Sequence, residues 1–150
     1  MRAEAKVVAS STEEIYLGGI ASGDLKKGLG RGYGIYVTSK RIIGLKKRKL
    51  GFLGAITTGV VSSAVGGVTS VEESRKAIEE LDKERKDIEI PREEVAYIEL
   101  KKPTFFKRGH LLIRMASGEE IKIMILGKKA FEPLKGLMKA FKPEVLKVEE

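Results

Sequence analysis

Between residues 33 and 45 the chain alternates with period two, which confines it to a β-hairpin. Tyr33, Ile35 and Val37 fall on one face of the first arm, Ser39 and Lys40 turn the chain, and Ile43 and Leu45 share a face of the second. A run of four cations, Lys46, Lys47, Arg48 and Lys49, follows directly. The stretch specifies a scaffold with a charged end rather than a reaction.

Other segments carry the same period. Residues 14–22 (EIYLGGIAS) read as a weak strand, followed by a loop with glycines at 28, 30, 32 and 34. Residues 94–101, 111–115 and 121–125 read as three more strands. The last two are joined through Ser117 and Gly118, and Ile121, Ile123 and Ile125 form an inward row. After residue 128 the period changes. Phe131, Leu134, Leu137, Met138 and Phe141 recur at helical spacing, so residues 128–141 are expected to lay an amphipathic helix on the sheet. Pro133 is expected near its start, where backbone N–H groups lack intrahelical partners, and Pro143 marks its exit. Antiparallel strands closed by a terminal helix make an α+β or small-barrel architecture.

At 150 residues, the chain is expected to form one domain able to bury about two-thirds of its unfolded surface. It has no cysteine, which excludes thiolate, disulfide and zinc-finger chemistry and points to a reducing compartment. It also lacks Asn, Gln and Trp while a third of it is charged, a composition that fits a hot cytoplasm, where amides deamidate and ion pairs lose less to desolvation. Arg2, Glu4 and Lys6 interrupt the first apolar patch, so no secretory signal is expected there.

The net charge of +8 is unevenly spread. Residues 1–50 hold 11 Lys and Arg against 4 Asp and Glu, residues 51–100 hold 6 against 11, and residues 101–150 hold 12 against 6. Two basic regions flank an acidic one, which favours an acidic partner: phospholipid, protein or nucleic acid. Solvated surface lysines are the plain alternative.

The stretches GYGIYVTSKRIIGLKK and DIEIPREEVAYIELKKP, followed by a glycine-turn hairpin and a helix, resemble pleckstrin-homology-like (PH-like) domains of the GRAM and prokaryotic kinds. Those show a "lyvTnkRli" hairpin, an "IPxeeI" lead-in to the next strand and a C-terminal helix. The likeness covers most of the chain outside residues 50–86, and departs from the pattern at Ser39, where Asn is common. It implies an antiparallel β-barrel or split sheet capped by the C-terminal helix, with loops that often form a head-group site. No cofactor and no metal site are expected.

Residues 50–71 interrupt this pattern with 22 uncharged residues, five of them glycine. Their length would admit a membrane span. A single crossing would place the two halves of one sheet on opposite sides of the bilayer, so a return hairpin of short helices is expected instead. It has three readings: packing on its own domain, pairing with a second copy through close backbone approach, or dipping into a lipid interface. Packing within the molecule or the oligomer is the preferred one, since apolar runs of half-span length are more often buried helices. Ser70 and Glu73 then match a capping box. The helix that follows, residues 72–87, has a thin apolar seam of Val71, Ile78 and Leu81, a solvated charged face, and an i to i+4 pair, Glu79 with Lys83.

In an antiparallel meander alternate loops share an end, so Lys26, Lys27 and Arg31 are expected beside Lys46, Lys47, Arg48 and Lys49. This cationic rim is the candidate ligand-binding site, each cation contributing about 1 kcal/mol near an anionic surface. A solubilising rim around an oligomer contact is the alternative. A second basic loop holds Lys101, Lys102, Lys107 and Arg108 around Phe105 and Phe106. Such a loop can bind single-stranded nucleic acid, but phenylalanines closing the end of a barrel are the preferred reading. No RNP or helix-turn-helix motif supports nucleic acid.

Catalysis has little support. His110 is the only histidine and begins a strand, and there is no HExxH, G-x-S-x-G or P-loop pattern. The expectation is a non-enzymatic, cytoplasmic, membrane-peripheral module for an anionic lipid surface or a protein partner. A structural homo-oligomer built through residues 50–71 is the alternative, and a nucleic-acid binder ranks below both.

Overall fold

The computed structural model of the protein describes residues 14–46 and 71–150. Among the described residues, eight strands and two α-helices follow one another as β1 (Tyr16–Lys27), β2 (Gly30–Thr38), β3 (Arg41–Leu45), α1 (Val71–Lys83), β4 (Ile88–Pro91), β5 (Val95–Lys101), β6 (Gly109–Met115), β7 (Glu120–Ile125), α2 (Lys128–Phe141) and β8 (Leu146–Glu149). The strands form one sheet in the order β4-β3-β2-β1-β7-β6-β5-β8. Its neighbours are antiparallel except β5 and β8, which run parallel. The strands before residue 47 and after residue 70 therefore share a sheet, as the topological argument requires. The fold is α+β and mostly antiparallel, consistent with a PH-like split sheet.

β1 joins the two halves. It pairs with β2 from Tyr16 to Lys27, with a break in register, and on its other edge Leu25 and Lys26 pair with Ile125 and Met124 of β7. Between Ser22 and Lys26 the register shifts, and the Ser22 hydroxyl accepts a hydrogen bond from the Asp24 N–H at 2.9 Å. A bulge of this kind bends a strand and sharpens its twist, which lets one strand serve two half-sheets.

The alternation read in the hairpin is real. Tyr33, Ile35 and Val37 enter the main core, with Leu25, Ile123, Ile125 and the α2 residues Ala130, Phe131, Leu134, Leu137, Met138 and Phe141. Ile121 is only half-buried. Tyr36, Ile43 and Leu45 point to the opposite face, where they form a second cluster with Tyr16, Ala77 and Leu81.

Several expectations need correction. The glycine-rich segment after residue 28 is not a loop: Gly30 to Thr38 is all β2, and the turn before it is only Gly28 and Leu29. α1 ends at Lys83, not at residue 87, and it buries Ser74, Ala77 and Leu81, leaving Val71 exposed. Its rotation has a polar cause, because the Ser74 hydroxyl accepts a hydrogen bond at 2.8 Å from the Tyr16 N–H at the start of β1. Lys83 pairs with Glu80 at 3.9 Å, one residue short of the expected spacing. Pro133 lies inside α2, beyond the first four N–H groups, and the helix continues through it because its apolar face is buried on the sheet.

The readings of residues 50–70, the Ser70 cap and the first 13 residues lie outside the described residues. Among the described residues, no helix is long and apolar enough to cross a membrane.

Candidate functional site

The end of the sheet where β1 turns into β2 and β3 finishes is organised by Asp87. This residue follows α1 and precedes β4, and its N–H donates to the Gly44 carbonyl at 2.8 Å, which fixes the carboxylate against the strand ends. The Tyr33 hydroxyl donates to Asp87 Oδ2 at 2.7 Å. Lys27 Nζ approaches the same oxygen at 3.0 Å, and Lys46 Nζ stands 3.6 Å from Oδ1.

Gly44 makes this possible, since a Cβ there would collide with the Tyr33 hydroxyl and with Ile88. The Tyr33 ring crosses the bare backbone of β3 to reach the carboxylate. Burial pushes the Asp87 carboxyl up, but the Tyr33 hydrogen bond and the Lys27 and Lys46 ammoniums outweigh it and hold it below the usual carboxylate range. Burial, and then the hydrogen bond to Asp87, push the Tyr33 phenol up. The node is anionic at its centre and cationic at its rim. Its two lysines differ in freedom: the Lys27 side chain is 29% exposed and that of Lys46 is 77% exposed.

The meander argument thus brings Lys27 and Lys46 together, with an acid between them that the sequence reading left in a helix. It does not bring Lys26 to that node. Leu25 is in the core and Lys26 stands opposite Met124, which stands opposite His110, which stands opposite Lys101. Residues facing each other across antiparallel strands share a face, so this row crosses the outer side of the sheet. Arg31 occupies the register position opposite Lys26 on β2. Lys47, Arg48 and Lys49 lie outside the described residues.

A cleft of about 720 Å³ opens beside the node, lined by Leu45, Lys46, Asp87 and the chain leaving α1 from Lys83 to Lys86. Leu29, at the tip of the β1–β2 turn, is 99% exposed. Neither the cleft nor the exposed leucine is visible in periodicity. Turn position is the one signal that could have flagged Leu29.

At the opposite end of β6 and β7 lies the second basic loop. Its outcome differs from expectation, since Phe105 and Phe106 are 91% and 89% exposed and close nothing. Phe131 and Phe141 of α2 fill the core instead. Lys102 bends back over the Phe131 ring at 5.9 Å, whereas Lys107 and Arg108 are exposed.

His110 shares a hydrogen bond with Glu99 at 2.7 Å, and the Tyr97 hydroxyl donates to the other Glu99 oxygen at 2.9 Å. These two contacts, His110 first, hold the Glu99 carboxyl below its ordinary range. Arg114 covers the Tyr97 ring at 5.1 Å and pairs with Glu120 at 2.8 Å. The cluster cross-links β5 to β6. Among the described residues, no group of three or more His, Asp or Glu side chains is arranged to hold a metal ion.

No protein-family model matches the chain, and no curated protein matches it either.

Proposed function

We propose that this chain is a non-enzymatic, PH-like binding module that docks on an anionic surface, foremost phospholipid head groups, through the rim of Lys27 and Lys46, with Lys26 on the adjoining outer face. The observation that carries the reading is the convergence of Lys27 and Lys46 on one carboxylate, 3.0 and 3.6 Å away, at a strand end capped by an exposed Leu29. A half-buried acid that holds two ammoniums in place pre-orients them, and only part of their charge is cancelled. Cations around an exposed apolar tip match the chemistry of a head-group layer above hydrocarbon.

The PH-like part of the reading is supported by a four-strand meander, β1 to β4, joined to a second meander, β5 to β7, with α2 covering the core face. β8 adds a parallel edge strand to this plan. A module of this kind works at the cytoplasmic face of a membrane without crossing it and needs no cofactor.

Sedimentation with phosphatidylserine-containing vesicles at low and high salt tests the proposal. The expected result is pelleting that weakens with salt and is weakened by reversing the charges of Lys46 to Lys49. Salt-independent pelleting or none would refute the lipid reading and leave an acidic protein as the partner to seek.

A further inference from the structure

The β5–β6 loop is built to display two aromatic rings. Pro103 is buried at its base. The Thr104 N–H donates to the Lys107 carbonyl at 2.8 Å, and the Lys107 N–H donates to the Thr104 hydroxyl at 3.0 Å. These two bonds close a four-residue turn with Phe105 and Phe106 at its tip. The rings meet edge to face, with centroids 5.0 Å apart. Gly109 seats the loop closely, because a Cβ there would strike the Lys101 carbonyl and Pro103. The turn therefore holds the rings away from the core.

Phenylalanine has no polar atom to keep it in water, and two adjacent exposed rings are a costly surface for an isolated molecule. Their surroundings are cationic. Lys107 and Arg108 are exposed within the loop, and Lys128 and Lys129 are exposed at the start of α2, which begins shortly after Ile125, the strand partner of Gly109. Of the nearby carboxylates, Glu149 pairs with Lys147 at 3.4 Å and Glu150 with Lys135 at 2.5 Å, while that of Asp24 lies beside Gly127 at the start of α2. Glu132 is the exposed acid of the first turns of α2.

From this we infer that the 103–108 loop is a membrane-insertion tip, Phe105 and Phe106 entering the interfacial layer of an anionic bilayer while Lys107, Arg108, Lys128 and Lys129 meet its head groups. The site is separate from the Lys27 and Lys46 rim. Gly109 pairs with Ile125 and Ile125 with Leu25, so the loop leaves the sheet in the direction opposite to the β1–β2 turn. The inference therefore does not depend on the rim.

The chain contains no tryptophan, so Phe105→Trp introduces a single reporter at the tip. With vesicles of phosphatidylcholine and phosphatidylserine, its emission should shift to the blue and be quenched by brominated acyl chains. Replacing both rings by alanine should weaken vesicle pelleting by roughly tenfold or more, and Lys107→Glu with Arg108→Glu should weaken it comparably. Both rings are exposed, so the alanine variant should keep the far-UV spectrum and melting temperature of the parent. Adding Lys26→Glu and Lys46→Glu to the Phe105→Trp protein should leave its emission shift in place. Pelleting without any emission shift would overturn the insertion tip while leaving the rim reading intact. The tip would equally be overturned by an absence of pelleting, by equal binding to pure phosphatidylcholine, or by a blue shift that arises without lipid and tracks a doubled mass in light scattering.

Discussion

Asp87→Asn separates the structural and binding roles of the node, because it should move them in opposite directions. The carboxylate is mostly buried, its side chain 15% exposed, and it accepts from Tyr33 at 2.7 Å. Asparagine keeps an acceptor for that hydroxyl but turns a charge-assisted hydrogen bond into a neutral one, at a cost of about 1 kcal/mol. The pairs with Lys27 and Lys46 are partly solvated and contribute no more than about 1 kcal/mol each. The total loss is on the order of 2 kcal/mol, which for a chain of this length lowers the melting temperature by roughly 4–8 °C. Binding should respond with the opposite sign. The substitution raises the formal net charge of +8 by one and releases both ammoniums, a gain of about 1 kcal/mol at an anionic surface and so about fivefold in vesicle affinity.

The pH dependence has a definite sign. The folded-state pKa of Asp87 is depressed, so the stabilisation it gives is complete above the unfolded carboxylate value and is lost as pH falls through the folded value. The difference in stability between parent and variant should be constant above about pH 5 and should shrink only below about pH 4. Thermal melts across this range and vesicle titrations at fixed salt measure both effects. A variant that is less stable and also binds more weakly would refute the reasoning, since it would mean that the carboxylate itself, or the geometry it imposes, contacts the ligand.

Three further outcomes follow from the packing. Arg41 bonds Glu14, Asp82 of α1 and Glu89 of β4, each with a contact at 2.7 Å, so Arg41→Gln should cost on the order of 2–3 kcal/mol; α1 amides exchanging no faster than in the parent would show that the network does not hold the helix. Gly109→Ala should destabilise the protein by about 2 kcal/mol or more in urea unfolding, because the atoms it strikes are backbone; an unchanged midpoint would mean that the loop base yields freely. Tyr16 is buried and its hydroxyl has no partner among the described residues, so Tyr16→Phe should leave stability within about 1 kcal/mol of the parent or raise it; a larger loss would reveal a hydrogen bond to the hydroxyl.

What the sequence revealed was local order. Alternation at Tyr33, Ile35 and Val37, the isoleucines of β7 and the helical spacing from Phe131 to Phe141 each report which side of one element is apolar, and the structure buries those sides. β4 and β8 escaped notice because four residues carry too little alternation to stand out, and β8 depends on pairing with β5 rather than on a pattern of its own. The two neighbouring lysines, 26 and 27, show the same limit at the candidate site. Nothing in their order says that one turns toward Asp87 and the other toward the outer face.

The chain order by itself determined a charged hairpin, a terminal helix and two basic segments, because periodicity and charge are properties of neighbours. Tertiary structure alone decided that an acid sits between two of those lysines and that two phenylalanines stand in solvent. Both outcomes depend on register between strands far apart in sequence and on which aromatic residues are seated in the core. α2 already fills that core with Phe131 and Phe141, which leaves Phe105 and Phe106 no place inside.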